Sequence, residues 1–123
     1  LTARGAARIR SRGARRYHRR STPKHQEPSM IGIVATIKTK PGQGAAFEEV
    51  ARMLAREVNA NEAGCLLYIL CRADAEDTYV FMERYKDEAA VEAHRAAPHF
   101  KEYGRKMGEF MDGRPQVQVL REV

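Results

Sequence analysis

Residues 30–39, Met-Ile-Gly-Ile-Val-Ala-Thr-Ile-Lys-Thr, are rich in β-formers, with apolar Ile31, Ile33, Ala35 and Ile37 recurring at every second position on one face. That period of two predicts a β-strand with one buried side. Lys40-Pro41-Gly42-Gln43-Gly44 is a turn that ends it. The period then lengthens. Phe47, Val50, Ala51, Leu54 and Val58 recur at helical spacing and predict a helix from about 44 to 60, with Glu48 and Arg52 as an i,i+4 pair on its wet side. Gly64 closes the connection to a second strand, Cys65–Arg72, which is apolar on both faces. Asp74 to Asp77 form a polar turn, and residues 78–85 a third strand. Asp87 is an N-cap for a short helix over 88–96. Pro98 suits the first turn of a further helix, whose stripe of Phe100, Tyr103, Met107, Phe110 and Met111 carries it to about 112, where Gly113 stops it. Val117 and Val119 alternate with Gln116 and Gln118 in a last strand over 115–122.

The resulting order, β-α-β-β-α(α)-β, predicts an α+β fold of the ferredoxin-like, split βαβ kind: an antiparallel sheet with helices on one face. The bare face of such a sheet should alternate polar with apolar. Residues 65–71 do not, so something is expected to cover it. A second copy of the chain is the simplest cover, which predicts a homodimer packed sheet to sheet. An apolar-rich strand in a monomer is the alternative.

Charge divides the chain in two. Residues 1–29 carry nine basic side chains against Glu27 alone, so +8, and residues 30–123 carry 13 basic and 15 acidic, so −2, which together give the formal +6. The first stretch has Leu1, Ile9 and Tyr17 as its only large apolar residues and is expected to be a disordered basic extension. Three readings of it are open: an Arg-rich transit peptide, an arm that grips phosphates, or an upstream extension without a role, Met30 then serving as initiator. The last is preferred, and nucleic acid is not expected as a partner. Residues 30–123 form the predicted domain. No apolar stretch approaches the ~20 residues of a membrane span, and no secretory apolar run precedes the domain. Cys65 and Cys71 lie six residues apart in one strand, about 20 Å, too far to pair with each other. They read as small buried hydrophobes in a reducing compartment, which predicts a cytoplasmic protein.

Candidate chemistry gathers between residues 83 and 100. Glu83 shares strand parity with Tyr79, Phe81 and Tyr85, and a carboxylate on an aromatic face is either paired or at a cavity. His94 follows Val91 by three and so faces inward; His99 stands at the entry of the last helix; Tyr68 comes from the neighbouring strand. Ordinary structural roles compete: a satisfied core histidine, a helix-start anchor, or an ion pair from Glu83 to Arg72, Arg84 or Lys86. His94 and His99 are five apart across a proline, so they do not share a helix face as a metal pair would. Pro41-Gly42-Gln43-Gly44 has neither a phosphate-loop Lys nor dinucleotide spacing, and no serine nucleophile motif is present.

Four segments carry a resemblance: Ile33-Val-Ala-Thr-Ile-Lys-Thr-Lys-Pro-Gly-Gln43, Glu62-Ala-Gly-Cys-Leu-Leu-Tyr68, Glu83-Arg-Tyr-Lys-Asp87 and His94-Arg-Ala-Ala-Pro-His-Phe100. With the element order, they make residues 30–123 resemble the antibiotic biosynthesis monooxygenase (ABM) domain family. That resemblance implies a dimeric α+β barrel with a cavity between sheet and helices in each protomer. It also implies an oxygenase of quinols or related phenols that works without metal or other cofactor, on a small-molecule substrate and dioxygen. Glu83, His94 and His99 match the polar positions of the family pattern and Tyr68 its aromatic, and these four are the catalytic candidates. Phe81, Tyr85, Phe100 and Tyr103 are the substrate-binding candidates, Tyr85 standing where many relatives have Trp. In this reading His94 is the base that deprotonates the quinol, Glu83 fixes its tautomer or takes the proton onward, and Tyr68 or His99 donates to the developing oxyanion. Two other functions fit the same residues. One is an isomerase of small phosphorylated hydroxy-ketones, as in autoinducer-2 processing, for which Arg72 or Arg95 at the pocket would hold the phosphate. The other is a non-catalytic ligand-binding module. A haem-degrading role is disfavoured, because the chain contains no Trp.

Overall fold

The backbone pairs four strands in the order β2-β3-β1-β4, every neighbour antiparallel. The structure, a computed structural model, describes residues 29–123; of the predicted basic extension, all but the last residue lies outside the described residues. In chain order the elements are β1 (Ile31–Lys38), α1 (Gly44–Asn61), β2 (Cys65–Arg72), β3 (Thr78–Tyr85), α2 (Glu88–Ala96), α3 (Pro98–Gly108) and β4 (Gln116–Arg121). This is the ferredoxin-like α+β arrangement.

Each element follows from its local pattern. Ile31, Ile33, Ala35 and Ile37 are all buried, while the residues between them are partly exposed. The apolar stripe of α1, Phe47, Ala51, Leu54 and Val58, is wholly inaccessible and packs on Ala35, Ile37, Tyr68, Tyr79 and Phe81. Burying each of the larger side chains stabilises the fold by roughly 1.5–3 kcal/mol. The Asp87 carboxylate accepts from the Ala90 amide and caps α2, and Pro98 opens α3. α2 buries Val91 against a second cluster of Ile31, Ile33 and Tyr85. Gly64 is needed for this docking, since a Cβ there would stand 2.7 Å from that of Ala90. The predicted i,i+4 pair of Glu48 and Arg52 is present, and Glu48 also accepts from Arg72 (2.8 Å) and the Tyr79 hydroxyl (2.7 Å), tying α1 to β2 and β3.

Two expectations need correction. α3 ends at Gly108, not near residue 112. The next residues are drawn to the end of β1 instead: Lys40 donates to the Phe110 carbonyl, Asp112 donates to that of Lys38, and Met111 bridges Thr39. Gly113, at φ 86°, then turns the chain toward β4 in a conformation that disfavours any side chain. Cys65 and Cys71 are both unpaired, as expected, but only half-buried. Cys65 lies in the bulge that shifts the β2–β3 register between Cys65 and Leu67, and the Cys71 thiol points to the Met82 sulfur.

The helices leave two surfaces uncovered. One is the outer face of the sheet, where Leu67, Ile69, Met82 and Leu120 are each about two-fifths exposed. The other is β4, every residue of which is exposed, Val117 and Val119 included, although both lie opposite inward-facing Ala35 and Ile33 of β1.

Candidate functional site

The two core clusters do not meet completely. Between the sheet and helices α2 and α3 they leave a cavity of about 400 Å³ with mostly apolar walls, among them Ile33, Phe81, Phe100 and Met107. That volume is within the range of small-molecule sites. Glu83 and His94 both line it, as does Tyr68. Of the substrate-binding candidates, Phe81 and Phe100 also line it. Tyr85 lies behind Glu83, and Tyr103 packs on the main core cluster away from the cavity wall. His99 is not on the wall either.

Glu83 is not engaged by Arg72, Arg84 or Lys86. Arg72 is taken by Glu48 and Arg84 by Glu122. Its partner is the Tyr85 hydroxyl, which donates at 2.8 Å. Burial pushes the Glu83 carboxyl up to about 7, against the opposing influence of the Tyr85 hydrogen bond and the Arg95 guanidinium. This carboxyl therefore exchanges its proton near neutrality. Burial likewise holds the Tyr68 phenol above its ordinary value, with the Glu83 charge adding to it. Tyr68 thus keeps its proton, and its hydroxyl makes no hydrogen bond among the described residues.

His94 is 4 % exposed. Phe100, Tyr68 and Tyr85 pack around it with tilted rings, at 4.6, 5.2 and 5.5 Å between ring centres. Burial lowers its basicity, and the Glu62 carboxylate beside it opposes that. The expectation that Glu83 would orient this ring is corrected by the geometry. His94 Nδ1 lies 3.0 and 3.1 Å from the two oxygens of Glu62. The same carboxylate receives His99 Nε2 at 2.5 Å. Glu62 was absent from the candidates, yet one signal pointed to it. It falls four residues after Val58, on the continuation of the buried stripe of α1, and an acidic residue in such a position asks for partners. Arg114 and Val117, from the connection to β4 and β4 itself, complete the wall; the alternation of β4 puts Val117 on an apolar face, whereas no local periodicity marks Arg114. Among the described residues no group of three or more His, Cys, Asp or Glu side chains is arranged to hold a metal ion, and no helix is long and apolar enough to cross a membrane.

A substitution tests the state of Glu83. A carboxyl raised from 4.5 to about 7 on folding contributes stability that is fully present below its unfolded value and lost as pH rises through about 7. The ceiling is on the order of 3 kcal/mol. Glu83→Gln, which can still accept from Tyr85, is expected to raise the melting temperature at about pH 8.5 and change it little at about pH 5. Thermal unfolding at both values reads the difference; equal shifts would show that Glu83 titrates normally.

Comparison with known proteins agrees with this architecture. The family model described as "Antibiotic biosynthesis monooxygenase" matches residues 30–106. "Putative monooxygenase YcnE" of Bacillus subtilis (strain 168) is 32% identical over 82 residues, which cover 67% of this chain and 86% of that protein. "Probable quinol monooxygenase YgiN" of Escherichia coli (strain K12) is 31% identical over 86 residues, covering 60% and 81%. Among solved structures, a "putative antibiotic biosynthesis monooxygenase" from Caulobacter crescentus CB15 superposes with a TM-score of 0.75 at 41% identity, over 78% of this chain and 92% of that one. Strand order, the sheet-and-helix cavity and the match across all three helices lead to one assignment: the chain belongs to the antibiotic biosynthesis monooxygenase family.

Proposed function

We propose that the protein is a cofactor-independent monooxygenase of a quinol or related phenolic small molecule. The observation that carries this reading is that an imidazole and a near-neutral carboxyl, His94 and Glu83, open onto one apolar cavity sized for such a ring. A quinol has an ordinary phenolic pKa of about 10. His94 takes its hydroxyl proton, and the apolar walls keep the anion away from water. The anion gives one electron to dioxygen, and the radical pair joins at a ring carbon to form a hydroperoxide. Loss of water, with the ring hydrogen of that carbon, leaves a hydroxyquinone. Quinol and dioxygen thus become hydroxyquinone and water, with no electron required from elsewhere. Tyr68, a phenol that stays protonated in this setting, donates to the oxygen on which charge builds. Phe81 and Phe100 hold the ring. The name of the Escherichia coli relative supports the substrate class.

The exposed apolar outer face of the sheet supports a homodimer packed through it. The two half-buried free thiols support a reducing, cytoplasmic setting.

One observation favours the second reading. Arg95 and Arg114 border the cavity, and neither has an ion-pair partner among the described residues; this would suit the phosphate of a hydroxy-ketone substrate of an isomerase. A single experiment separates the readings: oxygen uptake by the full chain with 1,4-dihydroxynaphthalene and benzene-1,4-diol as probes, under labelled dioxygen. Protein-dependent uptake, with label in the hydroxyquinone, is expected. Tight binding without uptake would instead indicate a ligand-binding module or an isomerase.

A further inference from the structure

We infer that Glu62 is the positioning residue of this site: its carboxylate, shared with His99, fixes the ring hydrogen of His94 on Nδ1 and leaves a bare Nε2 for the cavity. This rests on the proposed role of His94 as base for its kinetic consequence, but not for its structural one.

The geometry is specific. Both Glu62 oxygens are within 3.1 Å of His94 Nδ1. An ionised carboxylate only accepts, so Nδ1 must donate and the hydrogen sits there. Nε2 then carries the lone pair. It has no partner among the described residues, and it is not sealed: Thr39 Oγ1 is the buried side-chain atom found without a partner there. His94 lines the substrate cavity, whereas Glu62 and His99 do not. Those two border a separate hollow on the far side, beside Gly64, Cys65 and Lys86. Glu62 therefore acts through His94 and never meets substrate. Its side chain is only 10% exposed, so the carboxylate is held where its field on the imidazole is weakly screened.

His99 draws on the same carboxylate from the first turn of α3. By donating to Oε2 it spreads the negative charge that His94 would otherwise have to itself. The groups facing His94 are therefore Glu62 from the end of α1, His99 from α3, Glu83 and Tyr85 from β3, Tyr68 from β2 and Arg95 from its own helix. Of these, Glu62 supports the imidazolium, and His99 and Arg95 oppose it. Substitution at Glu62 and at His99 should thus move His94 in opposite directions. A Glu62 that only packed beside the ring, sharing no proton with it, would move neither the midpoint nor the tautomer.

The test is a pH titration of the histidine ring ¹⁵N and ¹³C signals in the full chain without substrate. In the unaltered protein the neutral His94 ring is expected as the Nδ1–H tautomer. Glu62→Gln is expected to lower the His94 midpoint by about one pH unit or more and to mix its tautomers; His99→Ala is expected to raise the midpoint. In oxygen uptake with 1,4-dihydroxynaphthalene, Glu62→Gln should lower kcat with little change in KM, because the cavity wall is unaltered. An Nε2–H tautomer in the unaltered protein would overturn the inference even if neither variant folds. So would a His94 midpoint that ignores both substitutions. Absence of quinol turnover with the tautomer and the opposite shifts intact would instead remove the oxygenase reading and leave the role of Glu62 standing.

Discussion

Replacing His94 with alanine will lower quinol-dependent oxygen uptake by about 10²–10⁴-fold, the usual contribution of a positioned general base. The argument is one of supply. Within the cavity a phenolic proton has two acceptors that operate near neutrality, His94 and Glu83. Glu83 already receives the Tyr85 hydroxyl, and at pH 7 it is about half protonated. His94 is neutral there, because burial lowers its basicity, and so it is ready to accept. His94→Gln serves as a control for packing, since it fills more of the space against Phe100 and should lose activity to a similar extent. Binding of a non-oxidisable phenol is expected to weaken far less than turnover in both variants, as an interaction made chiefly in the transition state requires. Unchanged uptake by a folded His94→Ala protein would move the base role to Glu83.

The second large effect concerns assembly. Ile69 and Met82 face each other across β2 and β3 on the outer side of the sheet, each 42% exposed. With Leu67 and Leu120 they make an apolar surface that none of the described elements covers. The double substitution Ile69→Lys and Met82→Lys is expected to convert the protein from dimer to monomer. Four ammonium groups would be brought into an apolar two-fold contact, and each costs several kcal/mol to desolvate without a partner. Both positions face solvent in the isolated chain, so the fold itself should survive. Light scattering should give twice the chain mass of 13.9 kDa for the unaltered protein and a single mass for the variant. A monomer in both samples would sink the assembly, and would leave the non-alternating pattern of β2 without its explanation.

Periodicity made the fold legible. The period of two in β1, the stripe of α1, the Asp87 cap and Pro98 each located an element boundary or start to within a residue or two. Where the reading failed, a long-range contact had overruled a local pattern. Phe110 and Met111 continue the apolar spacing of α3, yet hydrogen bonds to the end of β1 take their backbone out of the helix. The same limit applied to the site. Glu83 and His94 could be placed on inward faces by parity and spacing. Which of them would touch the other depended on the end of a helix more than thirty residues away, so Glu83 was paired with His94 in expectation and Glu62 in the structure. Tyr103 carries the spacing of a wall residue, but the cavity opens beside Gly104 and Met107 instead.

The uncovered strand at the end of the chain has a consequence for how such a protein diversifies. The family match ends at residue 106, while Arg114, Pro115 and Val117 still border the cavity. The residues proposed to handle the proton therefore lie in one portion of the polypeptide and part of the cavity wall in another, separated by the left-handed turn at Gly113. Exchanging the terminal portion between paralogues is expected to retune which molecules the cavity admits while leaving Glu83 and His94 in place.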